Sequence, residues 1–187
     1  MNKITVFVLL ILVIMGLILF NSIKNDINEE DKVKKQVQND GMKIESKAFE
    51  NNQQIPSNYT CDGQNINPPL AFSDVPEQAK SLLLILEDQD APMGTFVHWL
   101  AWNIDPKTQA IGQEKIPKGA VQGANSYHNN GYNGPCPPVG ESHRYIFKLY
   151  ALDLTLSIAP SSTKTDVEKK IKGHITSSAE LTGLYSH

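Results

Sequence analysis

The chain has 187 residues, 40% of them hydrophobic and 20% charged, which is typical of one globular domain with a short appendage and excludes wholesale disorder or a collagen-like repeat. The net charge of −3 argues against nucleic acid as a partner, because a phosphate backbone requires a basic face. Among the basic residues Arg144 is the one arginine, so guanidinium chemistry is available at one place in the chain.

The N-terminus carries the first predicted element. Residues 4–20 contain no charge and are mostly aliphatic or phenylalanine. With residues 21–23 this run is about 30 Å long as a helix, close to the thickness of a bilayer core. Segment 1–23 therefore predicts an N-terminal transmembrane helix that contacts the membrane through residues 4–23. Lys3 ahead of the run favours a cytoplasmic N-terminus, so the expected protein is single-pass in the cell membrane with an extracytoplasmic domain.

A cleaved signal peptide is the alternative interpretation of the same segment, and the domain would then be secreted. Signal peptidases require small residues just before the cleavage point, and residues 17–24, LILFNSIK, offer no such pattern. The uncleaved anchor is therefore favoured. In both interpretations the rest of the chain is exported.

Residues 24–41 are interpreted as a polar tether. They are mostly Asn, Asp, Glu, Lys and Gln, and their few apolar residues make a stripe too narrow to be buried alone. The folded domain is expected to span residues 42–187, which is long enough for one substantial core.

The domain is predicted to be mostly β. The run 81–87, SLLLILE, is apolar almost throughout and predicts a central strand. The segment Thr165 to Glu168 fits a capping box and predicts one helix, which ends at Gly173 or continues through His174. Several strands with one late helix favour an antiparallel sandwich. The predicted strands are 42–50, 70–73, 81–87, 96–104, 144–154 and 178–185.

Two carboxylates follow the most hydrophobic strand. Asp88 and Asp90 are two residues apart, so their side chains point the same way if the backbone is extended. Carboxylates at the end of a buried strand are costly unless a partner satisfies them, which makes them candidates for a site. The alternative is turn chemistry, in which the aspartates accept hydrogen bonds from nearby amides.

A histidine lies in the middle of the aromatic run 96–104. A period of two places His98 on one face with Phe96, Leu100 and Trp102, and places Trp99 on the other. It is either a ligand-binding residue or a hydrogen-bonded histidine of the core.

The segment 131–140, GYNGPCPPVG, predicts a stiff, shaped loop because it is rich in proline and glycine. Gly134 allows a close backbone approach by a ligand or by another segment. After the loop, His143 and Tyr145 alternate onto one face of the next strand, while Arg144 points the other way. A rigid loop beside a His and a Tyr indicates a small-ligand site or a structural corner.

Taken in order, these motifs resemble the phosphatidylethanolamine-binding protein family, which includes the Raf kinase inhibitor proteins, and most closely its bacterial and archaeal branch. The motifs are DQDAP at 88–92, HW at 98–99, GYNGPCPP at 131–138 and HRY at 143–145. The match covers roughly residues 43–185. Gln89 departs from the proline that the family carries in DPDAP, so the turn lacks one constraint.

The resemblance implies a Greek-key antiparallel β-sandwich with one or two short helices. It also implies a pocket at one end of the main sheet that accepts phosphate-like groups, including the head group phosphorylethanolamine. Carried over by position, the ligand-binding residues are Asp88, Asp90, Pro92, His98, Gly134, Pro137, Pro138, His143 and Tyr145.

The residue types favour a binding or inhibitor protein over an enzyme. A protonated imidazole, the Tyr145 hydroxyl and loop amides can donate to an anion, and the aspartates can fix the histidine tautomers. Two His and two Asp match zinc ligand types, but no local metal-binding spacing and no nucleophile elbow occur, so we expect no metal, no cofactor and no catalytic residue. The alternatives are a protein inhibitor of an envelope protease or kinase and, less favoured, a hydrolase that uses the His and Asp residues.

The chain has two cysteines, Cys61 and Cys136, and both are expected to be exported. An even pair in an oxidising compartment is more often bridged than free, and both cysteines lie in turn-rich loops. The prediction is a disulfide that holds the proline-rich wall of the site. The alternative is two free, buried thiols.

Overall fold

The computed structural model of the protein describes residues 41–187 and, ahead of them, Met15. The predicted transmembrane helix and tether lie outside the continuous described range. Within the described part of the chain, no helix is long and apolar enough to cross a membrane.

The domain is mostly β, as predicted. One α-helix, α1 (Lys164–Ile171), and one 3-10 helix (Ser57–Tyr59) accompany the strands in the described range. The strands are β1 (Lys43–Ser46), β2 (Gln53–Gln54), β3 (Leu70–Ser73), β4 (Ser81–Asp88), β5 (Phe96–Ile104), β6 (Ala110–Ile111), β7 (Val121–Gln122), β8 (Ser142–Leu152) and β9 (Ile175–Ser186).

The strands form two sheets. The smaller sheet has the order β1-β3-β6 and the larger sheet has the order β2-β9-β8-β4-β5-β7. Strands β4, β5, β7 and β8 lie side by side in the order 8-4-5-7 with antiparallel pairing, which is a Greek key. The pair β2–β9 is parallel, so the predicted antiparallel sandwich holds for every other ladder.

Most predicted strand bounds agree with the structure. Strands β3 and β5 match the prediction at both ends, and β4 is one residue longer. Strand β1 stops at Ser46 because the chain bends there, and the Ser46 hydroxyl accepts the amide of Ala48. Strand β8 begins and ends two residues earlier than predicted, and β9 begins three residues earlier. Strands β2, β6 and β7 have two residues each, which is too short for a periodic signal.

Strand β4 is buried on both faces because it lies between two hydrophobic clusters. Leu82, Leu84 and Leu86 pack into the core between the two sheets. Leu83 and Ile85 point the other way, into a second cluster closed by α1. This arrangement explains why the run 81–87 shows no alternation of apolar and polar residues.

The predicted capping box was wrong by two residues. The N-cap of α1 is Thr163, and its backbone amide and hydroxyl both donate to the Asp166 carboxylate, at 3.0 and 2.8 Å. Thr165 therefore lies inside the helix and does not cap it. At the other end α1 stops at Ile171, and Gly173 takes a left-handed conformation with φ of 82°, as expected for a glycine that ends a helix.

Strand β4 ends in two buried carboxylates that belong to different environments. On the α1 side, the Glu87 carboxylate lies 2.5 Å from the Lys148 ammonium and 2.6 Å from that of Lys164. Burial alone would raise the pKa of Glu87, but the two lysines outweigh burial and hold that pKa below its ordinary value. The next residue, Asp88, contacts the candidate site described below.

Candidate functional site

Four of the nine predicted site residues meet at one end of the larger sheet: Asp88, His98, His143 and Tyr145. In the sheet register Asp88 lies opposite Tyr145 of β8, while His98 comes from the neighbouring β5. The Tyr145 ring centroid is 5.2 Å from that of His98 and 6.4 Å from that of His143. All four residues are buried. We call this group the strand-end cluster.

His143 lies between two carboxylates. Its Nδ1 is 2.7 Å from Asp88 Oδ2, and its Nε2 is 3.0 Å from Glu141 Oε2. An ionised carboxylate only accepts hydrogen bonds, so both contacts are made together when both ring nitrogens carry protons. Burial disfavours the charged ring, but the two carboxylates outweigh it and raise the pKa of His143 above its ordinary value. The charged form of this histidine is therefore favoured.

The prediction of which side chains share a face with His98 was partly wrong. His98 shares a face with Phe96, and their ring centroids are 5.2 Å apart. However, the register between β4 and β5 shifts between Leu86 and Glu87, so that His98 is the extra residue of a β-bulge. The bulge turns the His98 ring toward Tyr145, away from the face of Trp102, which packs in the cluster closed by α1.

His98 is held as a neutral ring in one tautomer. Its Nδ1 lies 2.9 Å from the Asn133 carbonyl oxygen and 3.1 Å from the Gly134 carbonyl oxygen, so Nδ1 carries the proton and donates. Burial lowers the pKa of His98 below its ordinary value. Nε2 is left as an acceptor. The expectation that aspartates fix the histidine tautomers was therefore wrong for His98, whose tautomer is fixed by backbone carbonyls, while Asp88 orients the ring of His143 through Nδ1.

The Tyr145 ring contacts both imidazoles, and its hydroxyl is poorly satisfied. The residue is 0% exposed, and its Oη makes no hydrogen bond of normal geometry, although it approaches the Asp88 carboxylate and the backbone of Cys136. Burial, with a smaller effect from Asp88, raises the pKa of Tyr145, so the hydroxyl keeps its proton as a donor. A buried donor without a partner is costly, and a ligand oxygen would satisfy it.

Asp90 does not share a direction with Asp88. The backbone amide of Asp90 donates to Asp88 Oδ1 at 2.9 Å, which closes a turn directly after β4. Arg144 then binds Asp90 with both ends of its guanidinium, at 2.6 and 2.9 Å, and this pair lowers the pKa of Asp90 to about 2. The expectation of two parallel carboxylates was wrong because the backbone is not extended at these residues. The turn chemistry considered as the alternative is present.

The remaining predicted residues lie in the loops around the cluster. Gly134 packs closely against another segment, since a Cβ at this position would come within 2.4 Å of the Tyr59 carbonyl oxygen. The Gly134 carbonyl oxygen accepts a hydrogen bond from His98. Pro137 is buried and Pro138 exposed in the same loop. Pro92 is exposed in the turn after β4.

The disulfide is present. Cys61 and Cys136 are bridged, with their Cα atoms 5.5 Å apart. The backbone amide of Cys61 also donates to the Pro135 carbonyl at 3.0 Å. The bridge therefore fixes the loop whose carbonyls hold His98, which links this covalent bond to the geometry of the cluster. The thiols expected in the alternative, free and buried, are not found, since both cysteines are bridged and exposed.

Sequence reasoning missed two side chains that contact the cluster. Glu141 stands two residues before His143, a spacing that places both on one face of an extended segment, and this signal could have found it. The Tyr127 ring lies 5.8 Å from that of His98, edge to face. No local pattern points to Tyr127, because its contact depends on the fold.

Metal binding was considered from the donor atoms. Within residues 41–187, the donor atoms of Cys61, Cys136 and His187 lie within 4.8 Å of one another, but both cysteines are in the disulfide. In the strand-end cluster, the Nδ1 of each histidine is already a donor to an oxygen, and Asp88 accepts two hydrogen bonds. The absence of a physiological metal or other cofactor stays a prediction.

Known proteins share sequence and fold with this chain. The sequence profile described as phosphatidylethanolamine-binding protein matches residues 45–186. A UPF0098 protein of Pyrococcus horikoshii is 48% identical over 149 residues, covering 75% of this chain and 74% of the relative. One from Methanothermobacter thermautotrophicus is 46% identical over 149 residues, covering 77% and 98%.

Two solved structures are also similar. A phosphatidylethanolamine-binding protein homolog from Chlamydia trachomatis has a TM-score of 0.76 and 42% identity, and the match covers 79% of this chain and 99% of that one. YbcL of E. coli, described as a member of the mammalian PEBP family, has a TM-score of 0.74 and 29% identity, with coverage of 78% and 98%. The resemblance seen in the sequence is therefore confirmed: the chain belongs to the phosphatidylethanolamine-binding protein family.

Proposed function

We propose that this protein is a binding module for a small anion, phosphate or a phosphorylated head group such as phosphorylethanolamine, and that the strand-end cluster is the site. The observation that carries the proposal is the Tyr145 hydroxyl, which is fully buried and makes no hydrogen bond of normal geometry, on a ring that contacts both imidazoles. A ligand oxygen that reaches this hydroxyl would accept its hydrogen bond.

The donors and the acceptor of the cluster are suited to an anion that itself carries one proton. His143 is favoured as a cation and Tyr145 is a neutral donor, while His98 offers an acceptor at Nε2. Two donors and one acceptor are complementary to a phosphate group that keeps one hydroxyl. Asp88 is not a direct partner for such an anion. Its role is to orient His143 and to stabilise the charged form of that ring.

The binding proposal is tested by calorimetric titration of phosphate and phosphorylethanolamine into the wild type, His98→Ala and His143→Ala. Each substitution is expected to weaken binding about tenfold or more, because each removes a hydrogen bond to a charged ligand. His174→Ala is the matched control, since His174 is exposed and lies near the end of β8 that is farthest from His143. Unchanged binding in both cluster variants would remove these histidines from the site.

Inhibition of an envelope protease or kinase is the second candidate function. Met93 is 100% exposed and Val139 is 82% exposed, and these apolar side chains lie in the two loops that flank the cluster. A protein that docks over the cluster would bury both side chains. A pull-down from envelope extract that captures a protease or kinase with the wild type, and fails with Met93→Ser/Val139→Ser, supports this candidate.

The proposed location of the module is the extracytoplasmic face of the cell membrane, with residues 4–23 as the anchor. The support is the uncharged run of residues 4–20, Lys3 ahead of it, and the disulfide, which is typical of an oxidising compartment. External protease is expected to degrade the domain on intact spheroplasts. Recovery of the intact protein in the soluble cytosol would contradict this location.

A further inference from the structure

We propose that Glu141 is a built-in competitor of the anionic ligand, occupying the ligand-facing nitrogen of His143 and setting the affinity and selectivity of the site. This inference rests on the proposed function of the strand-end cluster. It is based on the two carboxylates that contact the same imidazole from opposite sides and differ sharply in burial.

The two carboxylates differ in their burial and in the number of hydrogen bonds that hold them. The Asp88 side chain is 5% exposed and its other oxygen accepts the Asp90 amide, so Asp88 is fixed on Nδ1. The Glu141 side chain is 53% exposed, and its contact with Nε2 is its one hydrogen bond or ion pair through the side chain within the described residues. A carboxylate with so much solvent contact can leave His143 for water, while the buried imidazole keeps Asp88 as its partner.

The contact places Glu141 where an anion would bind. When Asp88 holds Nδ1, the only remaining donor of His143 is the proton on Nε2, and Glu141 accepts that proton at 3.0 Å. A phosphate oxygen that uses His143 must therefore displace Glu141. The apparent affinity for the anion is the intrinsic affinity multiplied by the fraction of molecules in which Glu141 is not bound to the imidazole.

The same geometry gives selectivity. After displacement, the carboxylate of Glu141 stays near the bound anion, because it stands two residues from His143 at the start of β8. A dianion is repelled more strongly than a monoanion, and a ligand with a positive group regains the lost ion pair. Glu141 thus favours monoanionic or zwitterionic ligands over dianionic ones.

The test is titration of inorganic phosphate into the full chain and three variants. Glu141→Gln removes the charge. Glu141→Asp keeps the charge but shortens the side chain by one methylene group and weakens its reach to Nε2. Glu77→Gln is the control, since this exposed residue lies before β4, at the end of that strand opposite Asp88.

Glu141→Gln and Glu141→Asp are both expected to bind phosphate about threefold to fivefold more tightly than the wild type, the upper part of the range for loss of an exposed ion pair. Glu77→Gln is expected to stay within about twofold, because exposed charges further apart than a Debye length are largely screened. If Glu141→Gln binds phosphate more tightly and Glu141→Asp does not, the charge of Glu141 acts at a distance and not through contact with Nε2. That result would overturn the inference that Glu141 competes with the ligand.

Equal or weaker binding in both Glu141 variants would also overturn the inference while the wild type still binds phosphate. Binding by none of the four proteins would contradict the proposed function itself, and with it the competitor. NMR titration of the His143 ring gives an independent readout without a ligand, since loss of the contact with Glu141 is expected to lower the pKa of His143 in Glu141→Gln.

Discussion

Removing the disulfide tests how strongly one covalent bond supports the loop behind the site. The bridge joins residues 75 positions apart, and by the chain-entropy model a closed loop of this size stabilises the folded state by about 4 kcal/mol. Cys61 and Cys136 are both exposed, so replacing them by alanine loses little apolar burial. The loss of stability in the double variant Cys61→Ala/Cys136→Ala is therefore expected to come from the missing cross-link alone. For a domain of roughly 150 residues, this loss lowers the Tm by about 10–15 °C.

The assay is scanning calorimetry of three samples: oxidised wild type, reduced wild type and the double variant. Reduced wild type and the variant are expected to melt together, well below the oxidised protein. A difference of less than about 3 °C between oxidised wild type and the variant would refute the reasoning, because it would show that the unfolded chain gains little freedom when the bridge is absent.

Three further predictions follow from the buried charges and the close contacts. Glu87→Gln is expected to destabilise the domain by about 3 kcal/mol in urea denaturation, because two lysines lose a buried partner, whereas Glu168→Gln, at an exposed position, changes stability by less than about 0.5 kcal/mol. The raised pKa of His143 means that its charged ring stabilises the fold fully below about pH 6.5 and that this contribution is lost as pH rises through the folded-state pKa. Urea denaturation at a series of pH values is expected to show this loss in the wild type and much less of it in Asp88→Asn. Gly134→Ala is expected to cost about 2 kcal/mol or more in thermal denaturation, since the new Cβ forces a backbone carbonyl to move.

The sequence predicted the elements whose signals are local. The run 81–87 is continuous because β4 has a core on each face, and the bounds of β3 and β5 follow from composition and turn residues. The helix was located but its start was misplaced. Two overlapping capping boxes occur, Thr163 with Asp166 and Thr165 with Glu168, and only the path of the preceding chain decides between them.

Four side chains of the strand-end cluster were named from the sequence, but their contacts were not. The ordered motifs named Asp88, His98, His143 and Tyr145, which the structure brings together. The orientation of His98 depends on a bulge, and a bulge depends on how β5 pairs with β4, which no local pattern records.

The partner of Asp90 was missed for a similar reason. Arg144 is 54 residues away in the chain, and the fold alone brings the two together. By contrast, the contact of Glu141 with His143 was accessible from their spacing of two residues.

The central claim is that the strand-end cluster binds a phosphate-like anion, and the most direct measurement observes the two imidazoles themselves. Imidazole nitrogen chemical shifts of His98 and His143 are followed by NMR during titration with phosphorylethanolamine at about pH 6, on the acidic side of the raised pKa of His143. Both rings are expected to shift along one saturation curve with a single Kd, and Tyr145→Phe is expected to weaken that Kd about tenfold. Saturable binding that leaves both imidazoles unchanged, or a Kd unaffected by Tyr145→Phe, would contradict the account.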